Sequence, residues 1–292
     1  MDIIQVITKE LNVEKWQVEA AVKLIDEGCT IPFISRYRKE ATGSLNDEQL
    51  RTLHERLTYL RNLEEKKNQV LGSIEEQGKL TAELKKQILD AQTLVVVEDL
   101  YRPFRPKRRT RAIIAKEKGL EPLANIIMLQ MTDKPMEEEA QDFVSEEKGV
   151  ETVADAINGA KDIIAEHISD EADYRIYLRK LTMDRGSVVS TAKKPEESSV
   201  YEMYYEFEEP IKKLAGHRVL ALNRGEKEKI LTVKVNAPEE EAMGWLQKQV
   251  ITKENPITKP ILREVVEDSY KRLIAPAIER EIRSDLTEKA ED

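Results

Sequence analysis

Between Asn46 and Gly78 the chain repeats leucine at a spacing that only a helix can use. Leu50, Leu53, Leu57 and Leu60 recur at alternating steps of three and four, which places all four on one helical face. Asn46 supplies an N-cap, and Gln49 three residues later is its capping-box partner. Gly78 is a stop. The pattern predicts one long helix from Asn46 towards Gln77. Glu64 and Lys67 break the stripe before Leu71 and Ile74 restore it. A coiled coil needs about three or four sustained heptads. The helix is therefore read as part of an intramolecular core.

The rest of the composition agrees with a helical protein. Charged residues make up 35% of the 292, hydrophobic residues 40% and aromatics only 5%. Glycine and proline number 11 each, too few for the turns of an all-β architecture. The expected fold class is mainly α, a multi-helix scaffold with at most a minor β element. The single cysteine, Cys29, allows no internal disulfide and fits a reducing, cytoplasmic setting. The N-terminus lacks the basic and apolar blocks of a secretory signal. No apolar run approaches a membrane span, so no membrane partner is expected.

Residues 2–28 read as two short helices, the second carrying Val18, Ala21, Val22 and Ile25 at helical spacing and closed by Gly28. Pro32 suits the first turn of a third helix. Phe33, Ile34 and Tyr37 fall at spacings that let them face a core with Ile31. Arg36, Lys39 and Glu40 are then left outside. Three helices joined by short turns form a helix-turn-helix-like region or an ordinary small bundle, and the pattern alone does not separate these.

Thr81 opens a further helix to Leu89, and Leu94–Val97 reads as a buried helical turn. Pro103 and Pro106 then forbid a regular helix from Arg102 to Thr110. Helices are expected at 119–131, 136–147, 150–168 and 170–183. Arg185 to Ser199 reads as a polar loop, and the rings from Tyr201 to Phe207 suit one side of a helix. A helix over LAGHRVLALNRGEKEKI, a strand over LTVKV and a final helix after Pro260 complete the chain. That helix carries no glycine or asparagine stop.

The motif inventory points away from chemistry. His54, His167 and His217 show no paired ligand spacing, and one cysteine leaves no thiolate zinc site. No phosphate-cradling glycine loop and no nucleophile elbow is present. The chain is expected to be non-enzymatic, with no cofactor and no small-molecule substrate. The pairs Glu137/Glu138 and Glu239/Glu240 read as solvated runs, and Asn223 to Glu226 as a helix end with Gly225 left-handed.

The positive charge is concentrated. Arg102, Arg105, Lys107, Arg108, Arg109 and Arg111 crowd one loop of a chain whose net charge is −9. These cations require anions nearby: phosphate, with counterion release, or the chain's own carboxylates. Tyr101 and Phe104 either stack on bases or anchor the loop. Arg36, Arg38 and Lys39 are the candidate groove contacts if the third helix reads a duplex.

Four ordered stretches then carry a resemblance: TIPFISRYRKEATGSL, EDLYRPFRPKRRTRAIIAKEKGLEPLA, HRVLALNRGEKEKIL and IAPAIEREIRSDLTEKAED. Together they resemble the N-terminal part of the Tex family of bacterial transcription accessory proteins, over essentially the whole chain. The resemblance implies a helix-turn-helix-like region and a helical scaffold. A YqgF/RNase H-like domain, helix-hairpin-helix motifs and an S1 RNA-binding domain would follow, beginning near where this sequence stops. It also implies similarity to a eukaryotic elongation factor that acts on chromatin.

The division read from this is 1–78 for the helix-turn-helix-like region and long helix, 79–200 for the scaffold with the basic loop, and 201–292 for a mixed region leading to the YqgF-like domain. The implied role is non-enzymatic, nucleic-acid-binding and transcription-associated. RNA or DNA would be held mainly by the C-terminal domains. The alternative is an interaction module that docks RNA polymerase or another partner without touching nucleic acid.

Overall fold

The computed structural model describes residues 1–292 and divides them into two compact units, Met1–Phe104 and Arg105–Asp292. The fold is mainly α, with one small antiparallel sheet. No helix is long and apolar enough to cross a membrane.

In the first unit, helices α1 (Ile3–Leu11) and α2 (Lys15–Asp26) are followed by α3 (Ile31–Tyr37) and the single turn α4 (Lys39–Thr42). Each boundary has a local cause. The Asp2 carboxylate accepts from the Gln5 amide, and the Thr30 hydroxyl accepts from Phe33 with Pro32 in the first turn. Gly43 ends α4 at φ +66°, a left-handed conformation that glycine takes at no steric cost. Val18, Ala21 and Val22 are buried as the spacing predicts. Phe33 and Tyr37 are not. Ile34 carries the inward face of α3 alone, leaving Phe33 44% and Tyr37 67% exposed.

The long helix α5 (Asp47–Glu76) has the expected capping box, with Gln49 N–H donating to Asn46 Oδ1 at 2.8 Å and Asn46 N–H to Gln49 Oε1 at 3.0 Å. Its buried stripe runs Leu50, Leu53, Leu57, Leu60, Leu63, Lys67, Val70 and Ile74. Lys67 therefore continues the stripe it was expected to break. Its ammonium donates to the Leu89 carbonyl at 2.7 Å, near the end of α6 (Ala82–Asp90). A cation suits the carbonyls at a helix C-terminus. Leu94–Val97 is helical, within α7 (Leu94–Tyr101).

In the second unit, α8 (Arg111–Glu117), α9 (Glu121–Leu129) and α10 (Met136–Gln141) pack against α11 (Val153–Asp170). Ala156, Gly159, Ala160 and Ala165 on α11 are buried, and their small size admits the neighbouring helices closely. Helix α10 stops earlier than expected, because Ser145 and Val150 pair as an isolated bridge and Gly149 turns at φ +82°. Helix α8 begins directly after the irregular stretch that ends at Thr110, whose Oγ1 caps the Ile113 amide.

After α12 (Ala172–Arg185) come β1 (Ser187–Ala192), β2 (Glu206–Pro210), α13 (Gly216–Lys227), β3 (Leu231–Asn236) and α14 (Glu239–Val250). The sheet order is β2-β1-β3, all antiparallel, with Ser190 opposite both Phe207 and Val233. Two expectations fail here. The supposed polar loop contains the central strand, SVVSTA, whose Val188 and Ser190 point inward. The aromatic run is a 3-10 turn over Glu202–Tyr204 followed by β2, in place of a helix. Gly225 is also not left-handed. It lies inside α13, where a Cβ would come within 2.4 Å of Leu231 Cδ1, so its role is close approach. The positive φ falls on Lys229, at 63°.

The C-terminal helix runs from Thr258 to Glu291 through one wide turn, α15 (Thr258–Asp268), a π-helical Ser269–Ile274 and α16 (Ala275–Glu291). Ser269 Oγ donates to the Ala165 carbonyl at 2.7 Å and holds that turn on α11. Tyr270 beside it is 2% exposed, and burial, with Glu239 adding, pushes its phenol from the ordinary 10.0 up to about 12. A raised phenol pKa stabilises the fold below the unfolded value and loses that contribution as pH rises to the folded one. Unfolding free energy should therefore fall by a few kcal/mol at most from this residue across that alkaline window. Urea melts through the window should show the decline, and Tyr270→Phe should remove this component of it.

Candidate nucleic-acid interface

The candidate cations are distributed over two surfaces. On the first unit, Arg36 is the penultimate residue of α3 and Lys39 the first of α4. Both are exposed, and neither has a carboxylate within ion-pair distance. Arg38 between them is half-buried, and its Nε lies 3.0 Å from Glu40 Oε1. Arg36 shares the outer face of α3 with Phe33 and Tyr37, whose ring centroids are 5.5 Å apart.

Trp16, 53% exposed, opens α2 and lies on Gly43, where a Cβ would reach within 2.6 Å of its ring. Motif reading passes over Trp16. The signal is present in the sequence, because Trp16 stands outside the Val18, Ala21, Val22 and Ile25 stripe. Cys29, between α2 and α3, is half-buried and unpaired.

The start of the basic loop belongs to the first unit. Arg102 is half-buried in a 3-10 turn, Arg102–Phe104. Tyr101 and Phe104 are tied to α5. The Tyr101 hydroxyl lies 2.9 Å from Ser73 Oγ, and Gln77 Nε2 donates to the Phe104 carbonyl at 2.9 Å. The Tyr101 side chain and the Phe104 backbone therefore anchor the loop.

The remaining loop cations belong to the second unit. Lys107 is half-buried between Asp170, which its ammonium contacts, and Glu166 at 3.7 Å. Burial pushes the Asp170 carboxyl above its usual range, against the pull of Lys107. Arg109 makes a two-pronged pair with Glu117, at 2.9 and 2.7 Å. Arg105 and Arg108 are exposed, and no carboxylate pairs with Arg108.

Arg111 opens α8 and borders a groove of about 470 Å³ between α8, α11 and α15. Asp162, Glu264 and Asp268 line the same groove with Lys161. Lys161 pairs with Glu264 at 3.0 Å and Arg272 with Asp268 at 3.0 Å. Burial raises Asp162, while Arg272 and Arg111 draw it down. Charge in this groove is largely matched internally. No group of three or more His, Cys, Asp or Glu side chains is placed to hold a metal ion.

The two units thus define a mainly helical scaffold whose distinctive surface groups are cations and exposed rings. Comparison with known proteins places it further. The chain belongs to the Tex family: residues 1–75 match the Tex-like protein N-terminal domain, and residues 130–292 match the family described as Tex central region-like. It is 50% identical over 291 residues to protein YdcI of Bacillus subtilis, covering 99% of this chain and 40% of that protein. It is 41% identical over 235 residues to the transcriptional accessory protein Tex of Neisseria gonorrhoeae, covering 80% of this chain and 31% of the relative. The human S1 RNA-binding domain-containing protein 1 is 31% identical over 306 residues, covering 99% of this chain and 30% of the relative. The chain therefore spans well under half the length of these relatives.

Proposed function

We propose that this chain is the helical scaffold portion of a non-enzymatic, transcription-associated protein that binds nucleic acid, RNA or DNA, through a modest surface of its own. The observation that carries the reading is the placement of Arg36 and Lys39, exposed and unpaired, on either side of the α3–α4 junction in a chain of net charge −9. Cations left without internal carboxylates are available to phosphate. Arg108 adds a further exposed cation on the other unit. The names of the Neisseria and human relatives, a transcriptional accessory protein and an S1 RNA-binding domain protein, agree with this role.

A second reading has its own support. Lys107 and Arg109 are satisfied by Asp170, Glu166 and Glu117. A loop so neutralised suits a module that docks RNA polymerase or another protein. Fluorescence anisotropy against single-stranded RNA, single-stranded DNA and duplex DNA, over a salt series, separates the readings. The combined variant Arg36→Glu/Lys39→Glu/Arg105→Glu/Arg108→Glu should weaken binding at least tenfold. It should also flatten the salt dependence on a duplex by about 0.9 in log–log slope for each phosphate no longer neutralised. Unchanged affinity and slope would leave the docking module standing.

A further inference from the structure

We infer that the outer surface of α3 and the start of α2 form a stacking platform for the bases of single-stranded nucleic acid. This rests on the nucleic-acid reading above and specifies its ligand. The chain has few rings, 5% of its residues, yet places three of them outside within one small helical region. Trp16, Phe33 and Tyr37 are 53%, 44% and 67% exposed. They are also the whole set of exposed large hydrophobics between residues 13 and 45, where the aliphatic side chains are buried or half-buried. A surface of rings alone offers π-faces, the feature every base shares.

The geometry suits stacking. Phe33 and Tyr37 stand one helical turn apart with their planes tilted by 47°, so they are not stacked face to face on each other. Trp16 rests on Gly43, whose missing side chain gives the indole its seat, since a Cβ there would come within 2.6 Å of the ring. The charge suits a polyanion. Arg36 lies on the same face as the two rings and Lys39 follows at the start of α4, both without an acidic partner. In a duplex the base faces are covered by their neighbours and present only edges, whereas an unpaired strand can lay its bases on aromatic rings.

The test uses the 292-residue chain with a labelled mixed-sequence oligonucleotide, as single-stranded RNA, single-stranded DNA and duplex. Phe33→Ala/Tyr37→Ala should weaken both single strands by about fivefold for each ring removed, leaving duplex affinity and salt slope unchanged. Single strands should quench tryptophan fluorescence in the parent chain, and Trp16→Phe should abolish that component. Both rings are exposed, and an unchanged thermal melt will establish that the variant is folded. If Phe33→Ala/Tyr37→Ala leaves single-strand affinity intact while Arg36→Glu/Lys39→Glu weakens all three ligands, the platform is overturned and the nucleic-acid reading survives. If the parent chain binds none of the three at low salt, both fall and the surface passes to a protein partner.

Discussion

Replacing Lys67 with alanine should lower the unfolding free energy of the N-terminal unit by about 4 kcal/mol, and methionine there should cost only about 1 kcal/mol. Lys67 is fully buried in the stripe of α5. Alanine removes three methylenes, worth about 0.8 kcal/mol each, and leaves a cavity. It also strips the Leu89 carbonyl of its donor, which receives the ammonium at 2.7 Å. Methionine keeps the stem and gives up the hydrogen bond and the ion pair with Glu64 at 3.8 Å, while sparing the cost of a buried charge. Urea denaturation of the two variants measures the contrast directly.

The pH dependence of the same comparison has a definite sign. Burial holds the Lys67 ammonium below its ordinary 10.5, against the pull of Glu64 and Asp90. Between the lowered folded value and 10.5 the unfolded chain binds more protons, so the parent protein gains stability as pH rises. Lys67→Met should lack that gain. Equal costs for alanine and methionine would show that the stem contributes nothing.

Lys67 also marks the limit of what local patterning reveals. The start of α5 was legible because Asn46 and Gln49 satisfy each other within one turn. The burial of Lys67 depends on a carbonyl 22 residues away, which no helical period announces. Phe33 and Tyr37 fail for a related reason. Spacing defines a face of α3, but the packing of neighbouring helices decides which face is covered, and Ile34 alone took that place. The missed strands are short, and β1 owes its state to pairing with β2 and β3 on either side.

The same distance problem governs the basic loop. Its cations were plain in the sequence, but the Asp170 that satisfies Lys107 lies 63 residues further on. Composition gave the loop its charge, and only the fold divided that charge between internal pairs and exposed groups. Trp16 lay off its helical stripe and was legible in principle as an outward residue. Its seat on Gly43 was not, because that contact joins the start of α2 to the end of α4.

The second large effect is expected at Gly186, where alanine should cost the C-terminal unit about 3 kcal/mol. Gly186 is buried at the junction of α12 and β1, with φ −85°, so its backbone angle is open to any residue. The constraint is space. A Cβ would stand 2.4 Å from the Thr182 carbonyl oxygen and 3.2 Å from that of Asn236. Both are backbone atoms, which cannot rotate away as a side chain would. The Thr182 oxygen also accepts the Gly186 amide at 2.7 Å, and the Gly186 carbonyl receives Ile211 N–H at 3.1 Å. Any shift that relieves the clash therefore disturbs both the end of α12 and the first pairing beside β2.

Gly244, exposed on α14 with no atom within 4 Å of a built Cβ, is the matched control. Alanine there should be neutral or stabilising by up to about 1 kcal/mol, since alanine is the better helix former. Thermal melts of the two variants decide the matter, and a Gly186→Ala protein as stable as its parent would mean the α12–β1 junction yields more readily than its backbone contacts imply.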